Sequence, residues 1–185
     1  MNVKIRDEQL LKEFIEQAQR LDVPVFDLSN SSGLKAWLIK IKEGSGFHRV
    51  WLDPSLRTLP PPLEEALEGL GLIRDLALEP WEIKNPPDIA LGIARAEFGV
   101  AYSGSLAFLK ANPLVTLAPV GLLALLDTRS IAPSYEGLFS SLSGPFPQIL
   151  NLITGPSQTS DIEKKLIKGV HGPKWVAILL LGQPD

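Results

Sequence analysis

A chain of 185 residues, 45% of them hydrophobic, is long enough to bury one sizeable core and fits a single α/β domain. The net charge of −3 argues against a nucleic-acid-binding protein, and the lack of cysteine excludes disulfides and a cysteine-ligated iron–sulfur cluster in this chain. The polar first residues and short apolar runs predict neither a signal peptide nor a membrane span, so we expect a cytoplasmic protein.

The first eighty residues alternate between helical and strand patterns. Residues 7–21 carry apolar side chains at i, i+3 and i+4 spacing, which predicts an amphipathic helix. Three strands are predicted at residues 23–28, 47–52 and 73–78, with helices between them at residues 30–42 and 63–69. This alternation predicts an α/β fold with a mostly parallel open sheet flanked by helices. His48 is interpreted as a surface or half-buried strand residue. The two histidines lie far apart, so we expect no metal site. The sequence has neither a phosphate-binding loop ending in Gly-Lys-Ser/Thr nor a Gly-x-Gly-x-x-Gly motif, and we expect no bound cofactor.

The middle of the chain contains short apolar runs rather than long helical patterns. The runs at residues 89–94, 106–109, 114–118 and 122–126 predict closely spaced strands or a hairpin, and a helix is predicted at residues 133–142. Ser103, Gly104 and Ser105 form either a plain tight turn or part of a ligand pocket. Arg129 either pairs with a carboxylate or phosphate of a ligand or has a structural role.

A polar segment separates two apolar runs near the C-terminus. The runs at residues 149–153 and 175–181 predict buried strands. Ser160 and Glu163 have capping-box spacing, which predicts a short crossover helix over residues 160–168. The preceding loop would then lie at the carboxyl end of a strand, where open α/β sheets hold ligands. The segment is either a well-capped helix or a site where loop amides, hydroxyls and His171 bind an anion.

Two pieces of this polar segment resemble a known family. The runs GPSQTSDIE at residues 155–163 and GVHGP at residues 169–173 are similar to the C-terminal signature of the lactate-utilisation (LUD) domain family. The sequence departs from that signature at Gln158, where the family has a basic residue, and at Ser160, where it often has alanine.

The turn at residues 101–105 (AYSGS) resembles a second motif of the LUD family, an alanine–acidic–Thr–Gly–hydroxyl turn. Its hydroxyl–glycine–hydroxyl core is retained, but Tyr102 stands at the acidic position. If that carboxylate has a chemical role in the family, this chain either lacks the role or fills it with another residue such as Glu97.

The resemblance covers roughly the last hundred residues clearly and implies both a fold and a function. The implied fold is similar to that of sugar-phosphate isomerases and CoA transferases. The implied function is bacterial oxidation of L-lactate to pyruvate, in which this chain is a subunit without a cluster and partner subunits carry the iron–sulfur chemistry. The alternatives are a stand-alone enzyme acting on a sugar phosphate or acyl-CoA, and a regulatory or scaffolding relative that has lost ligand binding. Whether the chain is itself an enzyme stays open.

The two motifs also define the predicted organisation and site. We expect one domain over residues 1–185, with an N-terminal helical part over about residues 1–45 and the signature region over about residues 88–182. His171 is the candidate catalytic residue, because it is the only possible base for a serine or threonine nucleophile in that stretch. The residues predicted to bind a small anion are Ser103, Gly104, Ser105, Gly155, Ser157, Thr159, Ser160, Asp161, His171 and Gly172.

Overall fold

A six-stranded parallel sheet forms the centre of the molecule. The computed structural model describes residues 3–28, 32–76, 90–142, 146–160, 166–168 and 171–182. The sheet has the strand order β1-β12-β7-β4-β2-β3, and all neighbouring strands in it are parallel. Its strands are β1 (Val25–Asp27), β2 (Arg49–Leu52), β3 (Ile73–Leu76), β4 (Ala90–Ala96), β7 (Gly121–Asp127) and β12 (Trp175–Leu181). The predicted open parallel sheet is therefore confirmed.

Helices cover both faces of this sheet. On one face lie α2 (Ser32–Ser45) and α3 (Pro61–Glu68), which pack against residues such as Leu123 of β7. On the other face lie α1 (Val3–Arg20) and α4 (Pro113–Leu117), which share a core with residues such as Leu122. Successive residues of a strand point to opposite faces, so a strand covered on both sides needs a continuous apolar run. Within the described ranges, no helix has the length and apolar character that a bilayer crossing requires.

A smaller four-stranded sheet packs on the α1 side of the large one. Its order is β8-β5-β6-β9, with β6 antiparallel to both β5 and β9. Leu106 of β6 belongs to the same core as Phe14 of α1 and Leu126 of β7, and Leu138 of α5 covers the outer face of the small sheet. The elements of this part are β5 (Phe98–Val100), β6 (Ser105–Phe108), β8 (Ile131–Ala132), α5 (Tyr135–Ser141) and β9 (Asn151–Ile153).

The strand predicted at residues 114–118 is wrong, because that segment is helix α4. The side chain of Asn112 accepts a hydrogen bond from the backbone N–H of Leu114 at 3.0 Å, and Pro113 occupies the first helical position. An asparagine cap followed by proline is a helix start. The apolar residues that follow it fit a buried helix as well as they fit a strand.

The crossover helix predicted at residues 160–168 is also wrong. Strands β10 (Gln158–Ser160) and β11 (Leu166–Lys168) pair antiparallel, with Thr159 opposite Ile167. Two turns of helix are only marginally stable by themselves, so a capping pattern alone does not secure a helix against strand pairing. Ser160 therefore lies in a strand and not at a helix cap, while Asp161 and Glu163 lie outside the described residues.

The predicted crossover helix would place the loop that follows β9 at the carboxyl end of a parallel strand. In the structure this loop lies elsewhere. The strand predicted at residues 149–153 is observed as β9, but it belongs to the small sheet and runs antiparallel to β6. The loop after it consequently faces the turn that precedes β6. This correction decides where the candidate site lies.

A hydroxyl cluster as the candidate functional site

Four side-chain hydroxyls meet around Ser105, the first residue of β6. The Ser105 Oγ lies 2.8 Å from the Ser103 Oγ, 2.8 Å from the Tyr135 phenol oxygen and 2.6 Å from the Thr154 Oγ1. Ser105 itself is completely buried, Ser103 and Tyr135 are half-buried, and Thr154 is exposed. These four residues, which we call the hydroxyl cluster, therefore connect a buried hydroxyl to the surface.

The pairing of strands β6 and β9 explains why Ser105 meets Thr154. Leu106 is opposite Ile153 in the antiparallel register, so the residues just before and just after them also face each other. Tyr135 reaches the cluster from the other side, because the Ser134 side chain accepts a hydrogen bond from Gly137 N–H at 3.3 Å and starts α5 there.

Two glycines hold both loops of the cluster against the end of helix α1. Gly104 has φ +67°, and a Cβ atom at this position would lie 2.6 Å from the backbone nitrogen of Ala18. Gly155 has φ +85°, and a Cβ atom there would lie 3.3 Å from the Leu21 Cβ. Positive φ angles and close backbone approach both favour glycine. Helix α1 is therefore the common support that positions the Ser103–Ser105 turn and the Thr154 loop.

The cluster changes the acidity of its tyrosine. Burial raises the pKa of Tyr135, but hydrogen bonds from the hydroxyls of Ser103, Ser105 and Thr154 together outweigh burial and bring this pKa below its ordinary value. Donors stabilise the phenolate, which is why hydrogen bonding to the charged form lowers a tyrosine pKa. Tyr135 is thus the titratable group of the cluster.

The two pieces of the C-terminal signature lie next to each other. The Ser157 N–H donates to the carbonyl oxygen of Pro173 at 2.9 Å, and a Cβ atom at Gly172 would lie 3.1 Å from the Ser157 Cβ. Ser157 is half-buried and His171 is exposed. The structure therefore places these predicted residues on a loop pair that continues from Thr154, beside the cluster rather than inside it.

The remaining predicted site residues are not part of the cluster. Thr159 and Ser160 lie on the ribbon strand β10, and Asp161 falls outside the described residues. Tyr102, at the position of the family's acidic residue, is 67% exposed.

Two charged residues considered as ligand contacts have protein partners instead. The Glu97 carboxylate accepts a hydrogen bond from the Leu109 N–H at 2.8 Å, which supports the β5–β6 hairpin. The Arg129 guanidinium donates to both carboxylate oxygens of Asp127, at 3.0 and 2.8 Å. These contacts favour the structural interpretation of Arg129 and give Glu97 a structural role.

Sequence reasoning missed Tyr135 and Thr154. The sequence pattern places Tyr135 in a predicted helix and Thr154 in a predicted loop, and it assigns neither residue to the site. A tyrosine near the start of a short amphipathic helix does carry a signal, since a buried phenol needs a hydrogen-bond partner. The partners themselves are distant in sequence, however, so the sequence pattern could not identify them.

A separate cavity lies near the carboxyl end of β2. Its volume is about 360 Å³, and its lining includes Leu52, Arg57, Glu64 and Arg74. None of the four residues of the hydroxyl cluster lines it. Across the described residues there is also no group of three His, Cys, Asp or Glu side chains that could hold a metal ion.

A family model matches the half of the chain that contains the cluster. The family model of the LUD domain matches residues 87–181, which include all four residues of the hydroxyl cluster. "Lactate utilization protein C" from Bacillus subtilis is 31% identical over 108 residues, covering 54% of this chain and 45% of that protein. The protein of the same name from Halalkalibacterium halodurans is 34% identical over 92 residues, covering 45% of this chain and 40% of that protein. The matches thus span less than half the length of these two curated relatives.

Two further matches extend over nearly the whole chain. "Uncharacterized protein YkgG" from Escherichia coli is 24% identical over 189 aligned residues, covering 96% of this chain and 82% of that protein. The crystal structure of a DUF162 family protein from Deinococcus radiodurans superposes with a TM-score of 0.55 at 12% sequence identity, covering 95% of this chain and 98% of that one. The structural match supports the same overall fold.

Proposed function

Because this chain belongs to the LUD domain family, we propose that it acts in lactate utilisation as a subunit that carries no iron–sulfur cluster and binds a small carboxylate at the hydroxyl cluster. The relatives named "Lactate utilization protein C" support the lactate part of this proposal. The LUD domain model matches residues 87–181, which contain the cluster, so the proposal assigns the ligand to that region.

The contact between Ser105 and Thr154 is the observation that carries the proposal. It joins the two loops singled out by the family resemblance into one group of hydrogen-bonding hydroxyls. Hydroxyls donate hydrogen bonds to carboxylates, and such bonds to a charged acceptor are stronger than those to a neutral one. Thr154 is exposed, so a ligand can reach the cluster from solvent.

The electron-transfer part of lactate oxidation is assigned to partner subunits. Conversion of L-lactate to pyruvate removes two electrons and two protons, and the electrons need an acceptor. Iron–sulfur clusters are held mainly by cysteine thiolates, and this chain contains no cysteine. The proposed division of work is therefore ligand binding by this chain and electron transfer by cysteine-bearing partners.

Purification of the tagged chain from its own cells under anaerobic conditions tests this division. We expect cysteine-rich subunits containing iron to co-purify, and the complex to reduce an artificial electron acceptor when L-lactate is added. The isolated recombinant chain is the control, and it should neither contain iron nor oxidise lactate. Turnover of a sugar phosphate or an acyl-CoA by the isolated chain would contradict the proposal and favour a stand-alone enzyme.

A further inference from the structure

We propose that the hydroxyl cluster binds a carboxylate only while Tyr135 is protonated, and that loss of this proton closes the cluster on itself. The inference rests on the carboxylate site proposed above and adds the group that controls it. It follows first from counting protons in the three hydrogen bonds that join Ser105 to Ser103, Tyr135 and Thr154.

In the neutral cluster one hydroxyl proton is left over. Ser105 carries one proton and two lone pairs, so its three hydrogen bonds require it to donate one and accept two. Two of its partners thus direct their protons at Ser105, and the third keeps its own proton. Four hydroxyls supply four protons to three bonds, and the fourth can be donated to a ligand outside.

In the ionised cluster no proton is left over. When Tyr135 loses its proton, the three remaining hydroxyl protons all stay within the cluster. Ser105 donates to the phenolate, and Ser103 and Thr154 donate either to Ser105 or to the phenolate. The closed arrangement offers an incoming carboxylate no donor, and the phenolate repels it. Ligand binding and ionisation of Tyr135 therefore exclude each other.

The surroundings of Tyr135 support control by hydroxyls rather than by charges. Strands β5, β6, β8 and β9 contain no charged residue. The shift in the Tyr135 pKa arises from burial and the three hydroxyls, with no contribution from a charged side chain of the described part of the chain. The ionisable residues on the flanking segments are Arg20 and Asp22 at the end of α1, Glu97 before β5, Tyr102 in the turn, Arg129 before β8, Glu136 on α5 and the exposed His171 on the loop that pairs with Ser157.

The chain offers a direct test, because it contains only two tyrosines. Tyr102 is largely exposed, so Tyr102→Phe should leave the fold unchanged. In this variant Tyr135 is the single tyrosine, and the near-ultraviolet absorbance of tyrosinate reports its ionisation alone. We expect a titration midpoint below the ordinary tyrosine value of about 10. Ser105→Ala in the Tyr102→Phe background should raise the midpoint, because the phenolate loses one of its three donors and the hydroxyl that joins the other two. Ser140→Ala, which removes an exposed hydroxyl from the same helix, is the matched control and should leave the midpoint unchanged.

If Ser105→Ala does not fold, Thr154→Val provides the same test at an exposed position, again with an upward shift expected. A midpoint at or above the ordinary value, or one that neither variant changes, would overturn the inference.

Ligand binding separates this inference from the proposed function. Saturating acetate or L-lactate should raise the Tyr135 midpoint, and the affinity for either ligand should fall as the pH rises through that midpoint. Binding of L-lactate that is independent of pH across the Tyr135 titration would overturn the proton-linked mechanism and leave the carboxylate site intact. Failure of both ligands to bind at neutral pH would refute the carboxylate site itself, and with it the inference.

Discussion

The hydroxyl oxygens of Ser105 and Thr154 lie 2.6 Å apart, although 49 residues separate them in the chain. The antiparallel register of β6 and β9 creates this contact, and the docking of both adjoining loops on helix α1 maintains it. Two sequence segments that resemble separate family motifs thus form one site. The stability of this arrangement and its ligand chemistry can be tested independently.

Ser105→Ala should destabilise the protein by about 1–3 kcal/mol, the usual cost of leaving buried hydrogen-bonding groups without a partner. Ser105 is completely buried, and three hydroxyls lose their common partner in this variant. The free energy of unfolding is measured by chemical denaturation. Ser140→Ala is the control and should stay within about 0.5 kcal/mol of the wild type. Equal losses in the two variants would show that the cluster does not contribute to stability.

Gly104→Ala should cost more than Gly46→Ala, and the difference measures the contact with helix α1. Both glycines have positive φ, +67° at Gly104 and +71° at Gly46, but only a Cβ at Gly104 would collide with the helix backbone. The left-handed conformation alone costs about 1–2 kcal/mol for alanine. Overpacking should add about 1–3 kcal/mol at Gly104. Similar melting temperatures for the two variants would contradict the close packing of this turn on α1.

The pair formed by Asp127 and Arg129 should stabilise the protein in a pH-dependent way. The side-chain hydrogen bond from Arg129 holds the pKa of Asp127 below its ordinary value; burial opposes this, while the Arg129 backbone N–H and the charges of Arg129 and Arg95 support it. Because the folded-state pKa is depressed, the stabilisation is present above the unfolded value of about 4 and is lost as the pH falls through the folded value.

Arg129→Ala should therefore lower the free energy of unfolding near pH 7 and have little effect at a pH below the folded-state pKa of Asp127, as proton linkage requires. The Arg129 side chain is 72% exposed, so solvent screening limits the effect to about 1 kcal/mol or less. A destabilisation of the same size at both pH values would contradict a role for the carboxylate charge.

Ser160→Ala distinguishes the observed ribbon from the helix that the sequence had suggested. A serine that caps a helix costs about 1 kcal/mol when it is replaced by alanine. Ser160 lies in strand β10 opposite Leu166, so the capping contribution should be missing and the loss should be well below that value. A loss near 1 kcal/mol in thermal or chemical unfolding would support the helix instead.

Whether an element could be predicted from the sequence depends on whether local or long-range interactions determine it. The parallel strands were predictable because β7 and β12 are uninterrupted apolar runs, a consequence of burial on both faces. Helix α4 was missed although Asn112 and Pro113 provide a local start signal. The capping pattern at Ser160 and Glu163 is equally local, but strand pairing between β10 and β11 prevailed over it.

The hydroxyl cluster was predictable only in part. Ser103 and Ser105 belong to a motif that is visible in the sequence, but their contacts with Tyr135 and Thr154 span 30 and 49 residues from Ser105. Contacts of this range depend on how two sheets and a helix pack together, and one sequence does not contain that information in a local pattern.

Calorimetric titration of the wild-type chain and of Thr154→Val with L-lactate tests the central claim most directly. Valine keeps the size of the side chain and removes the exposed hydroxyl of the cluster. The account predicts that the wild type binds L-lactate and that Thr154→Val binds it about tenfold more weakly, as expected for the loss of one hydrogen bond to a charged ligand. Equal affinity in the two proteins, or no binding by the wild type, would contradict the assignment of a carboxylate site to the hydroxyl cluster.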